Sequence, residues 1–265
     1  MCRIITFIGE NKTLPGKTVK KIFKQSKTKT MQFNFILNNV VHSIDIKKSA
    51  TPKLANQGVR ILQTYTFSMD QILNKSLIND KDVCFNCPFS YNQNNGRSGG
   101  CYTHKGLLSF GLKSKMNRLN KLLLAGKIQQ GYFGIFEKIY KYSQKYPIKF
   151  ARFGTYGEPT LLPLELITGL SSLVKKYSGY THQYMNVNKD YSKFLMSSVH
   201  NIFEQKIAEN LGYRSFLVGS GDIPNKFVLC PSSTTIAKEN KLSCASCGLC
   251  SGSNSKAKNI FEFKH

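Results

Sequence analysis

The sequence predicts an α/β fold: a mostly parallel sheet, open or curled into a partial, barrel-like form, with cysteine-rich metal-binding loops and a basic N-terminal appendage. Three observations predict it. Strand, loop and amphipathic helix follow one another repeatedly between residues 147 and 231, an alternation that implies right-handed crossovers between parallel strands. Hydrophobic residues make up 41% of the 265 and aromatics 12%, enough apolar surface to offset the entropy of ordering a core. Seven of the eight cysteines fall into two spaced groups, which in a reducing compartment points to metal ligation rather than disulfides.

Taken in order, residues 1–57 are expected to form the basic appendage, with Lys17, Lys20, Lys21, Lys24, Lys27 and Lys29 exposed among polar residues. Such a run is either a solvated face or an arm on a phosphate backbone. Within it, MQFNFILNNVVHSIDI at 31–46 has β-rich composition and predicts a hairpin turning at Asn38 and Asn39. Residues 58–265 are expected to form the α/β metal-binding domain. It opens with a buried strand, GVRILQTYTF, followed by a loop from Asp80 to Gly106 rich in Asn, Gly, Ser and Cys. Helices follow to Tyr146, divided at Gly126, Gly131 and Gly134. PIKFARFGTYGEP is a strand running into a glycine-bearing loop. Pro163 to Tyr177 is read as a helix with Leu166, Ile167, Leu170 and Val174 on one side. GYTHQYMNV is read as a strand, 191–212 as a helix capped by Gly212, and YRSFLVGS and KFVLCP as further strands. In this class of fold, functional residues gather at the carboxyl ends of the strands. Arg152 to Glu158, Thr181 to Gln183 and Cys230 are expected there.

Lys plus Arg total 38 against 14 Asp plus Glu, a formal charge of +24. This excess is larger than solubility requires and points to a polyanionic partner, nucleic acid being the commonest. No stretch reaches the about 20 apolar residues of a membrane span, and the N-terminal run, broken by Glu10 and Lys12, is too short for a signal peptide. A cytoplasmic, intracellular protein with no membrane partner is therefore expected.

The first cysteine group is Cys84-x2-Cys87-x13-Cys101; the second is Cys230-x13-Cys244-x2-Cys247-x2-Cys250. Four thiolates complete a tetrahedral zinc site or the corners of a [4Fe-4S] cluster, so the second group can close a centre by itself. Three leave a fourth position that is open, filled by His104 or filled from elsewhere; an open position is the functional case. His182 is a candidate acid or base, and Glu158 with Arg152 a candidate pair for a substrate's charged groups, with a core histidine and an ordinary ion pair as the plain readings. Gly219 to Asp222 is a glycine-rich loop without a full phosphate-binding pattern. There is no H-E-x-x-H and no G-x-S-x-G.

The order Cys84 to Pro88, Gly100 to Tyr102, Arg152 to Pro159, Tyr180 to His182 and Cys230 to Cys250 resembles a family of phage- and plasmid-borne, cysteine-rich proteins of uncharacterised function, over about residues 58–265. That resemblance implies a phage protein in a bacterial host. More remotely, the chain is similar to radical S-adenosylmethionine enzymes, partial α/β barrels in which a three-cysteine loop holds an iron-sulfur cluster with one open iron. There a Gly-Gly-Glu-Pro-like segment binds the cofactor's amino group. The resemblance implies cofactor contacts at Gly157, Glu158 and Pro159, catalytic roles for His182, Glu158 and Arg152, and an auxiliary cluster at the second group. The first loop departs from that family's C-x3-C-x2-C spacing. The competing expectation is a non-enzymatic, zinc-dependent nucleic-acid-binding protein whose cysteines staple loops.

Overall fold

The computed structural model describes residues 30–91, 93, 101–104, 106–231, 242–254 and 256–263. The lysine-rich arm expected over Lys17 to Lys29, Cys2 and Gly100 lie outside the described residues.

The chain enters a meander of three antiparallel strands, β1 (Met31–Leu37), β2 (Val40–Lys48) and β3 (Arg60–Ser68). Asn38 and Asn39 turn the first hairpin with φ of 49° and 61°; a two-residue loop of this hand suits the twist of the strands it joins, and Asn tolerates it better than most residues. From β3 onward the pairing is parallel, through β5 (Phe150–Tyr156), β6 (Lys176–Thr181), β7 (Met196–Val199) and β8 (Ser215–Gly219) to β10 (Asn259–Phe263) and β9 (Phe227–Leu229). The short β4 (Gln129–Gln130) runs parallel to β1. Among the described residues the ten strands lie in the order β4-β1-β2-β3-β5-β6-β7-β8-β10-β9. The sheet stays open, because β4 and β9 are its two edges. Residues 31–48, expected within an appendage, are thus two strands of the same sheet.

Among the described residues, seven α-helices attach to this sheet: α1 (Met69–Asn74), α2 (Lys81–Cys84), α3 (Gly106–Leu124), α4 (Ile135–Lys145), α5 (Leu164–Ser172), α6 (Ile202–Asn210) and α7 (Cys244–Cys247). Strand alternation sorts the core into two faces. On one, Phe35, Ile44, Leu62, Ala151, Phe153 and Tyr177 pack against Ile139 of α4, Leu166, Ile167 and Leu170 of α5 and Ala208 of α6. Each buried aliphatic there contributes about 1.5–3 kcal/mol. On the other face, Val41, Tyr65 and Phe67 pack with α1 to α3, while Ile61, Phe150, Met196 and Ile260 pack with residues 54–55 and the C-terminal cysteine segment.

Three expectations are corrected. The helix read over 191–212 is a 3-10 turn at Lys189–Lys193, strand β7, then α6 behind the N-cap Asn201; only its second half is helical, and Gly212 follows it with φ 82°. The helix from Pro163 stops at Ser172, so Val174 lies beyond it and Tyr177 belongs to β6. The loop from Asp80 holds α2, whose last residue is Cys84. Among the described residues, no helix is long and apolar enough to cross a membrane.

Candidate functional site

The two cysteine groups occupy different places. Cys84 and Cys87 follow β3, the first strand of the parallel run. α2 positions them: Cys84 N donates to Asp80 O (2.7 Å) and Cys87 N to Cys84 O (2.9 Å). Between them Phe85 sits at φ 47°, a conformation costly for an aromatic residue and characteristic of constrained functional segments. Cys101 Sγ lies 3.0 Å from Thr103 Oγ1. Burial first, then the nearby charges of Asp80, Cys87, Cys101 and Glu158, hold the Cys84 thiol well above its ordinary range. Cys87 is pushed up to about 12, chiefly by burial.

The segment after β5 is locked to this loop. Gly157 has φ +75°, and a Cβ there would lie 2.7 Å from Thr66 O at the end of β3; the position requires glycine. Glu158 N then donates to Val83 O in α2 (2.6 Å). The buried Glu158 carboxylate accepts from Thr160 Oγ1 (3.1 Å) and Thr160 N (3.4 Å) through Oε1, and from His182 N (3.2 Å) through Oε2. Burial raises its pKa despite the hydrogen bonds it accepts. Pro159 is buried beside it and begins a 3-10 turn.

His182 follows the last residue of β6. Its Nε2 lies 3.9 Å from Cys87 Sγ. Its ring stacks on His200, with centroids 5.4 Å apart and planes 12° from parallel. Burial, then the charge of His200, lowers His182 to about 4. His200 follows β7 in the same way, meets Phe89 in a T-shaped contact, and buries an Nε2 that has no hydrogen-bond partner among the described residues. Sequence reading missed His200 because its strand was taken as helix. The signal was present: Tyr180-Thr181-His182 and Ser198-Val199-His200 are each a strand end followed by His, on paired strands. His104, the alternative fourth ligand, stacks on Tyr91 at 3.9 Å with both ring nitrogens buried and unpartnered among the described residues.

Arg152 lies within β5 rather than in the turn after it. Its register partner is Ser178, so alternation puts it on the face that carries Tyr180, and its charge acts on Tyr180. That face belongs to the second cysteine group. There Ser243 and Ser246 cap α7 reciprocally, and one helical turn sets Cys244 and Cys247 three residues apart on one side. Cys244 N and Ala245 N donate to Lys53 O and Leu54 O (2.9 Å each), and Cys230 N to Phe261 O (2.7 Å). The Arg214 guanidinium donates to the carbonyls of Leu249 (2.7 Å), Gly252 (2.9 Å) and Lys258. Cys250 accepts from the Tyr180 hydroxyl; burial, then the charges of Cys230, Cys244 and Cys247, pushes it up to about 12.

None of the seven described cysteines forms a disulfide among the described residues. Mutual electrostatics marks the members of each group as neighbours, yet among the described residues no three or more His, Cys, Asp or Glu side chains are arranged so that they could hold a metal ion as they stand. The thiols are gathered rather than closed into a cage. Compared with known proteins, the chain matches no family model, no curated protein and no solved structure.

Proposed function

We propose that the chain is a thiolate-ligated metalloprotein: Cys84, Cys87 and Cys101 hold an iron-sulfur cluster with one open iron, Cys230, Cys244, Cys247 and Cys250 hold a second, closed centre, and the protein acts on or near nucleic acid. One observation carries this reading. The three-cysteine loop follows the first strand of the parallel run, the Gly157-Glu158-Pro159 turn follows the next, and His182 and His200 follow the two after that. These neighbouring carboxyl ends are where α/β enzymes assemble their sites.

The residues fit a metal group in their chemistry. Cys87 Sγ lies beside the His182 imidazole, and the His200 ring stacked on His182 buries an Nε2 with no hydrogen-bond partner among the described residues. When bound, an open iron supplies one-electron chemistry to a cofactor such as S-adenosylmethionine. The chain's own contributions are positional. Gly157 lets the backbone pass against β3; Glu158 fixes α2 and His182 relative to each other; His182 faces Cys87, where it can hold or receive a proton through Nε2. Arg152 serves the second group's face. The charge of +24 supports the polyanionic partner.

A second reading is favoured by one contact. His182 Nε2 at 3.9 Å from Cys87 Sγ suits a closed site of three cysteines and one histidine, which is structural zinc in a binding protein. Anaerobic purification separates the two. The leading reading expects a brown protein with iron and sulfide, whose electron paramagnetic resonance signal after reduction changes on adding S-adenosylmethionine. A colourless protein with stoichiometric zinc that is lost in His182→Ala removes it in favour of the second.

A further inference from the structure

A pocket of about 280 Å³ lies between β1 to β3 and α3, lined by Gln32, Asp45, Lys47, Tyr65, Lys115 and Arg118 among others. Its position follows from alternation: Gln32, Asp45, Lys47 and Tyr65 all point to the face that α3 covers. Lys115 is the centre of the site. Its side chain is 9% exposed, its Nζ donates to Asp45 Oδ1 (2.7 Å) and Ser43 Oγ (3.0 Å), and it sits 4.4 Å from the centroid of the Tyr65 ring. Lys47 Nζ donates to the Tyr65 hydroxyl (3.4 Å). Lys47 and Arg118 lie close enough for their charges to act on Lys115.

The pocket therefore gathers three cations and one carboxylate. Lys115 and Asp45 neutralise each other, so the half-buried Lys47 and the exposed Arg118 leave the pocket with a net positive charge that favours an anion. Gln32 adds a different demand. Its amide oxygen is buried and has no hydrogen-bond partner among the described residues, so the occupant that satisfies it carries an N–H or O–H donor as well as negative charge. The volume is near the lower end of small-molecule sites. We infer that this pocket binds a nucleoside phosphate, with its phosphate on Lys47, Lys115 and Arg118 and a base or sugar donor on Gln32. The site is separate from both cysteine groups and does not rest on what they hold. The nucleoside phosphate is either free or a unit of a single strand.

The test is calorimetry on the full chain at fixed ionic strength, with inorganic phosphate, sulfate, adenosine and each of the four ribonucleoside monophosphates, alongside a labelled single-stranded oligonucleotide. At least one monophosphate is expected to bind tenfold or more tightly than phosphate or adenosine. Arg118→Gln and Lys47→Gln, at positions that leave the core intact, should each weaken it about tenfold, while Lys141→Gln on the remote α4 changes nothing. Replacing the buried pair together, Lys115→Met with Asp45→Leu, avoids an unpaired charge and should abolish binding. Competition of the oligonucleotide by the monophosphate, or oligonucleotide binding alone that falls with Arg118→Gln, assigns the strand as source; monophosphate binding without strand competition assigns the free nucleotide. Binding no tighter than sulfate for every probe, or affinity untouched by Arg118→Gln and Lys47→Gln, overturns the inference. Cys87→Ser should keep nucleotide binding while losing metal, so the two readings fail separately.

Discussion

The two cysteine groups use the same C-x2-C spacing in opposite surroundings. The first is dressed with groups that can titrate or ligate: His182 and His200 stacked on each other, Glu158 beneath, Asp80 behind Cys84. The second is dressed with anchors: backbone bonds to residues 53–54, three carbonyls on Arg214, and the Tyr180 hydroxyl on Cys250. Spacing makes a thiol pair available; neighbours decide whether it does chemistry or holds a chain in place.

The largest effect that sharpens this contrast is expected from Arg214→Ala. Three charge-assisted hydrogen bonds are lost with it, and denaturant unfolding should show a loss of about 4 kcal/mol. Metal should leave the second group and stay in the first. If Arg214→Ala leaves stability unchanged, the second group is not an anchor.

Gly157→Ala is the mirror test. A Cβ at φ +75° and 2.7 Å from Thr66 O should cost about 3 kcal/mol in unfolding experiments and displace Glu158 from Val83 and His182. Metal content of the first group should fall while the second group keeps its own.

Buried histidine by itself does not make a site, and His42 calibrates that. It stacks on Phe35 at 4.8 Å in the hydrophobic core, and burial lowers it from 6.5 to about 4. As pH falls below the unfolded value, the unfolded chain binds a proton the folded one refuses. Stability is therefore full above that value and is lost as pH drops toward the folded one. The loss between pH ~6.5 and ~5 is about 2 kcal/mol. Unfolding of His42→Phe across this range should show a shallower slope; an unchanged slope would place the proton uptake elsewhere.

The smallest effect is expected at the hairpin farthest in sequence from either group. Asn39→Gly relieves a left-handed residue and should alter stability by about 0.5 kcal/mol in thermal melts, with metal content untouched. A change in metal content would tie the antiparallel end of the sheet to the cysteines.

Much of this arrangement was legible in the sequence wherever a residue type answers to one local demand. Asn38-Asn39 marked the hairpin because few residues adopt two successive positive φ angles. The strand running into the Gly157-Glu158-Pro159 turn was legible because a β-rich run meets glycine and then a residue pair that starts a turn. The parallel order followed from the alternation of elements. What failed was local ambiguity. Residues 194–199 form a short apolar run continuous with the pattern of α6, and periodicity alone does not divide four strand residues from a helix. That error hid β7, and with it His200. β10 was missed for a similar reason, since Asn259–Phe263 is five residues among polar neighbours. Arg152 lies within β5 on the face that carries Tyr180, whereas Glu158 lies past the strand's end.

The central claim is that two distinct thiolate centres exist, one at the strand ends and one on the sheet face. Metal and sulfide counted per chain in anaerobically purified wild type, Cys87→Ser and Cys247→Ser test it most directly. The account predicts that Cys87→Ser loses one centre and keeps its melting temperature, while Cys247→Ser loses the other and melts earlier. A folded wild type without stoichiometric metal, or variants that lose both centres together, would contradict it.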